Sequence, residues 1–144
     1  MILPDGNLLI YAVDQGSPNH ESAKRWLERR LSGTETIAFA WIALLAFIRL
    51  TTREGVFTEP LSIAEAFAYV DGWLEQPVAV IVHPTNRHAT ILRELLAATG
   101  TAGNLASDAH IAALAIEHGA VIATADRDFG RFAGLRVVYP LSAT

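Results

Sequence analysis

Short apolar runs alternate with longer stretches in which apolar residues recur every three or four positions, and this alternation sets the expected order of elements. Residues 2–4 read as a short buried strand and 7–13 as one or two helical turns, stopped by the breakers Gly16-Ser17-Pro18. Ser17 and Pro18 then open a second helix to about Leu31. It sets Ala23, Trp26, Leu27 and Leu31 on one face and Lys24, Arg25, Glu28 and Arg29 elsewhere. Residues 36–40 form a short strand that runs without a turn signal into a strongly apolar helix over 41–52. The spacing predicts a further helix over 61–74, with Ser62 as N-cap and Glu65 completing a capping box, and with Phe67, Tyr69, Val70, Trp73 and Leu74 mostly core, any left exposed suiting a dimer or partner contact. A buried strand follows over 78–82 and a helix over 86–98. Asn104 or Ser107 is placed to cap a helix ending at His118, where Gly119 can close it. Residues 121–124 and 135–139 read as strands on either side of a turn at 126–132.

The resulting order is β-α-α-β-α-α-β-α-α-β-α-β, with strands too apolar to leave one face in water. That pattern predicts an α/β fold, a single domain over 1–144 with a central parallel sheet of four to five strands flanked by helices.

Composition narrows what this domain can be. At 144 residues the chain has room for one core and none for separate cofactor and substrate domains. Hydrophobic residues make up 51% of it and mean hydropathy is +0.30, which predicts apolar surface that a partner covers, hence a homodimer or a complex. It has no cysteine, which excludes thiolate catalysis, disulfides and cysteine-ligated metals. The longest apolar run, Ile37 to Ile48, is twelve residues, short of the roughly 18–20 that span a bilayer. The first residues reach Asp5 without a basic segment, so no secretory signal is expected and the cytoplasm is the expected location. A net charge of -4 argues against holding nucleic acid on a basic face alone. It does not argue against a nuclease whose carboxylates bind cations.

Candidate chemistry is best defined by elimination and then by position. No dinucleotide fingerprint, P-loop, G-x-S-x-G or H-E-x-x-H is present. His110 and His118 are eight positions apart on one helix, about 12 Å in rise, too far for one metal. His20, His83 and His88 have no partner spacing. The aspartates stand out because Asp5 and Asp126 fall at the carboxyl ends of expected parallel strands, where open α/β sheets bind ligands. Asp108, in the first turn of its helix, can reach the same edge. Singly each has a structural use: Asp5 and Asp126 as caps, Asp108 against a helix dipole. Together they would repel unless a hard cation with oxygen ligands sat between them.

Three segments carry a resemblance: Asp5-Gly6-Asn7 after the first strand, the run from Asn104 through Asp108 to His110, and Thr124-Ala125-Asp126-Arg127-Asp128-Phe129 after a late strand. As an ordered set they resemble a PIN-domain protein, and more closely the VapC-type toxin of a toxin–antitoxin pair; the likeness extends over nearly the whole chain. The resemblance implies an endoribonuclease dependent on Mg²⁺ or Mn²⁺, neutralised by a cognate antitoxin protein and often dimeric. Asp5 and Asp108 would be the principal metal ligands, with Asp126 as a further ligand and Asp128 completing the catalytic set, directly or through water. Asn7, Asn104 and Thr124 would orient those carboxylates. Arg49 and Arg53, one helical turn apart, are candidates for RNA phosphate contacts.

The sequence also departs from the family. A glutamate is common three residues before an arginine on the helix after the second strand, and here that position is Ala46, ahead of Arg49. The set is one acid short. A second reading is therefore a catalytically impaired PIN-like module that binds RNA or an antitoxin without cleavage. An aspartyl-phosphate phosphatase or receiver domain fits less well, because its partner acid is replaced by Asn7 and the only lysine is Lys24.

Overall fold

The computed structural model describes residues 1–57, 59–100 and 102–141, and leaves the side chain of Asn104 outside the description. Five strands form one parallel sheet in the order β3-β2-β1-β4-β5. They are β1 (Ile2–Pro4), β2 (Ile37–Phe39), β3 (Ala79–Ile81), β4 (Val121–Ala123) and β5 (Val137–Val138). Six helices connect them: α1 (Gly6–Val13), α2 (His20–Leu31), α3 (Trp41–Thr51), α4 (Ile63–Leu74), α5 (His88–Thr99) and α6 (Ala106–His118). Two 3-10 turns, Gly103–Leu105 and Arg127–Arg131, precede α6 and follow β4.

The central strands are buried on both faces, as the apolar runs require. Leu3, Ile37, Phe39 and Ile122 are fully inaccessible, with Leu8 and Leu9 of α1 and Phe47 of α3 packed over them. On the α4 side Trp73 closes the core, its ring 4.8 Å from that of Phe47 and stacked on Phe39.

Three expectations are corrected. The third strand is an edge strand, so Val80 and Ile81 are exposed rather than buried; its apolar run does not reveal its place in the sheet. Phe67 and Tyr69 lie on the open side of α4, while Val70 and Trp73 face inward. Neither Asn104 nor Ser107 is the N-cap of α6: the helix begins at Ala106 after a 3-10 turn, Leu105 is the cap residue, and Ser107 lies inside the first turn. The capping box at Ser62 and Glu65 forms with both hydrogen bonds, and Gly119 ends α6 in the left-handed region at φ 65°.

Pro4 fits a central strand because it is the last residue of β1. The neighbouring amides alternate, Ile2 donating to Thr36 of the β2 side and Asp5 to Ala123 of β4 at 2.8 Å. By that alternation the missing N–H of Pro4 would face β2, where β1 is paired only at Ile2. The sheet's connection reverses direction between β1 and β4, and ligands of open α/β sheets bind in the crevice beyond such a point.

Candidate active site

Asp5 leaves β1 and Thr124 leaves β4 side by side at that crevice, and one hydroxyl organises both. Thr124 Oγ1 donates to Asp5 Oδ2 at 2.9 Å and accepts from Asn7 Nδ2 at 3.3 Å and from the backbone N–H of Asp126 at 3.0 Å. This uses the full hydrogen-bonding capacity of a hydroxyl, and Thr124 is wholly buried. Asn7 in turn accepts from the N–H of Ala125 at 3.3 Å. The other oxygen of Asp5 takes the first free amide of α1, that of Gly6, at 2.8 Å. Asp126 accepts from the N–H of Asp128 at 2.8 Å and so caps the 3-10 turn. The structural uses and the convergence of the acids therefore coexist.

Asp108 projects from the first turn of α6 toward the same place. A cleft of ≈ 280 Å³ is lined by Asp5, Ala43, Ala46 and Arg49 on one side and Ser107 and Asp108 on the other. Burial, followed by the charges of Asp5, Asp126 and Asp128, pushes the Asp108 carboxyl up to about 6, with only Arg131 acting the other way. Burial likewise raises Asp5, against the hydrogen bonds from Thr124 and Gly6, and the charge of Asp126 adds to the rise. Asp128 is the most exposed member and pairs with Arg131 at 3.1 Å. Among the described residues no three acids or histidines are gathered closely enough to enclose an ion. The donor chemistry nonetheless fits a hard divalent cation: oxygen ligands only, with like charges raising one another. Mg²⁺ keeps several waters and needs only one or two carboxylates.

The family model described as PIN domain matches residues 2–135. The chain belongs to the PIN-domain family. It is similar to Ribonuclease VapC37 of Mycobacterium tuberculosis, 50% identical over 136 residues that cover 94% of each chain. It is also similar to Ribonuclease VapC33 of the same organism, 42% identical over 98% of this chain and 99% of the relative. These relatives place it in the VapC ribonuclease branch. Among solved structures, VapBC2 from Rickettsia felis bound to a promoter DNA fragment superposes with a TM-score of 0.69 at 23% identity, covering 96% of this chain and 98% of that one. Mycobacterium tuberculosis VapC20, described as a sarcin-ricin loop cleaving toxin, gives 0.66 at 20% identity, over 94% and 99%. These two show the fold.

The cleft contains Asp5, Asp108 and Arg49; Asp126 and Asp128 do not line it and reach Asp108 through their charge, while Arg53 is exposed beyond the end of α3 and does not line it either. Ala46 lines the cleft directly. A Cβ built on Gly6 would meet the Ala46 methyl and the Ala43 carbonyl, both at 3.3 Å, so α1 and α3 are closely apposed here.

The histidines needed the tertiary structure. His88, for which the sequence offered no partner, accepts or donates at His110 Nδ1 at 2.9 Å and pairs through its other nitrogen with Glu117. Burial would raise Glu117, but hydrogen bonds from Thr85 and His88 outweigh it and hold the carboxylate below its ordinary value. This clasp joins α5 to α6. None of its three members lines the cleft. His118 meets the carbonyl of His83, and His20 that of Tyr11.

Proposed function

We propose that this chain is an endoribonuclease that hydrolyses RNA phosphodiesters with Mg²⁺ or Mn²⁺ held by aspartates, and acts in the cytoplasm as the toxin of a type II toxin–antitoxin pair. The observation that carries the reading is that Asp5 and Asp108 line one cleft at the carboxyl edge of the sheet, where burial and the charges of Asp5, Asp126 and Asp128 push the Asp108 carboxyl up to about 6. Such a group is costly to maintain without a cation to offset it. Asp5 and Asp108 would hold the ion, with Asp126 and Asp128 contributing through water. A bound divalent cation supplies Lewis acidity at the phosphodiester and makes water more acidic.

The chain's own groups do the positioning. Thr124 and Gly6 fix both oxygens of Asp5, and Asn7 fixes Thr124; Asn104 is proposed to steady Asp108. Arg49, in the cleft wall, would draw the RNA phosphate, and Arg53 would act on the approach to it. The similarity to VapBC complexes supports a cognate antitoxin as partner. Exposed Leu45, Val56 and Ile63, the last 70% accessible, support a homodimer or that antitoxin as their cover. Among the described residues no helix is long and apolar enough to cross a membrane.

Ala46 favours a second reading, binding without cleavage, because its methyl stands in the cleft wall where a further carboxylate would act. RNA cleavage with added Mn²⁺, compared between this chain and its Asp5→Ala variant, separates the two. The enzymatic reading expects a loss of at least a hundredfold; equal cleavage overturns it. Ala46→Glu is expected to increase the rate at limiting metal.

A further inference from the structure

We propose that the stacked pair Arg127 and Tyr139 is a shelf for one base of a single-stranded RNA segment, beside the acids at the same edge of the sheet; this rests on the RNA reading above. A second cavity, of ≈ 200 Å³, opens at the same carboxyl edge of the sheet and is lined by Asn19, Thr124, Ala125, Arg127, Tyr139 and Leu141. Thr124 links the two places. Its hydroxyl holds Asp5, which lines the acid cleft, while the residue itself forms part of this cavity's wall. Tyr139 follows β5 and Arg127 follows β4, and these strands are neighbours. Pairing of the strands thus brings together two residues twelve positions apart in sequence.

The guanidinium carbon of Arg127 lies 4.2 Å from the centre of the Tyr139 ring, within stacking distance, and the arginine is exposed. A guanidinium plane laid on an aromatic ring is a surface on which bases stack, and its charge also attracts the adjoining phosphate. Asn19, which makes no side-chain cap to α2, lines the same cavity with an amide able to donate and accept at a base edge. Each cavity carries a cation, Arg49 in the acid-lined cleft and Arg127 in this one. A strand crossing the site from one to the other would bring its phosphate to Asp5 and Asp108 with a base on the shelf. The alternative use of the stack is purely structural: it would tie the segment after β5 to the 3-10 turn.

Fluorescence anisotropy with labelled RNA tetranucleotides of adenosine, cytidine, guanosine or uridine, and with the same sugar-phosphate tetramer lacking bases, distinguishes these uses. Ca²⁺ replaces Mg²⁺. The chain is expected to bind at least one base-bearing tetramer roughly tenfold more tightly than the abasic one. Arg127→Ala and Tyr139→Leu are expected to lose most of that ratio and Tyr139→Phe to keep it, while Arg49→Ala weakens both tetramers alike. A ratio near one in the unaltered chain overturns the shelf, whether or not RNA is cut. So does an unchanged ratio in Arg127→Ala and Tyr139→Leu accompanied by lower melting temperatures, the signature of a structural tie. If the ratio behaves as expected but the chain and Asp5→Ala cut RNA equally, the shelf stands and the hydrolytic reading falls.

Discussion

Thr124 is a small residue with three partners, all of them parts of the site, and its removal tests whether orientation of Asp5 matters separately from its charge. Thr124→Val keeps the shape but withdraws the hydroxyl from Asp5, Asn7 and the Asp126 amide. The buried carboxylate is left with one bond fewer, a loss of about 1–3 kcal/mol in stability. RNA cleavage by Thr124→Val is expected to fall at least tenfold, with the required metal concentration raised, while circular dichroism reports a folded protein. Asp108 supplies the opposite case. Its carboxyl keeps a proton up to about 6 in the fold against 3.8 without the fold, so the folded metal-free chain binds the extra proton. Ionised Asp108 therefore costs stability above about pH 6, and the cost is relieved as pH falls through 6. Solvent screening at this half-open position reduces it to about 1 kcal/mol. Asp108→Asn should melt roughly 3 °C higher at pH 7.5 without metal, yet lose cleavage, with the two proteins converging near pH 4. In the unaltered chain, cleavage at limiting metal should decline as pH is lowered through about 6.

Elements differ in how much of their placement is local. The N-terminus of α4 is set by Ser62 and Glu65 alone, whose reciprocal bonds are 3.1 and 3.0 Å. Ser62→Ala should cost about 1 kcal/mol in thermal or denaturant unfolding and leave cleavage unchanged. The start of α6 is not local in this sense. Two residues of capping type stand near it, but the chain enters through a 3-10 turn with Leu105 at the cap and no side-chain cap hydrogen bond. That entry matters because it places Ser107 and Asp108 on the cleft. Farther along, Glu117 and His110 fasten α6 to α5 through His88. Helical spacing shows only which residues of one element share a face, so a contact between α5 and α6 was not legible in it.

At the scale of the whole molecule, binding of a divalent cation at the carboxyl edge should register as stability. An ion that binds the folded state alone adds RT ln(1 + [L]/Kd), about 2.7 kcal/mol at a hundredfold excess over Kd. The melting temperature should therefore rise with Mg²⁺ or Mn²⁺ concentration and stay flat in Asp5→Asn; a rise of equal size in both would place the ion elsewhere. The sequence by itself determined the strand and helix order, the parallel α/β class and the position of Asp5, Asp108 and Asp126 at one end of the sheet. Apolar periodicity and strand ends are properties of the chain read along its length. Only the tertiary structure decided that β3 and β5 are edges, that Arg49 but not Arg53 lines the cleft, that Thr124 joins Asp5 to Asp126, and that Arg127 stacks on Tyr139. Each of these depends on which strands become neighbours. That choice is made by packing between residues far apart in sequence, and no local pattern records it.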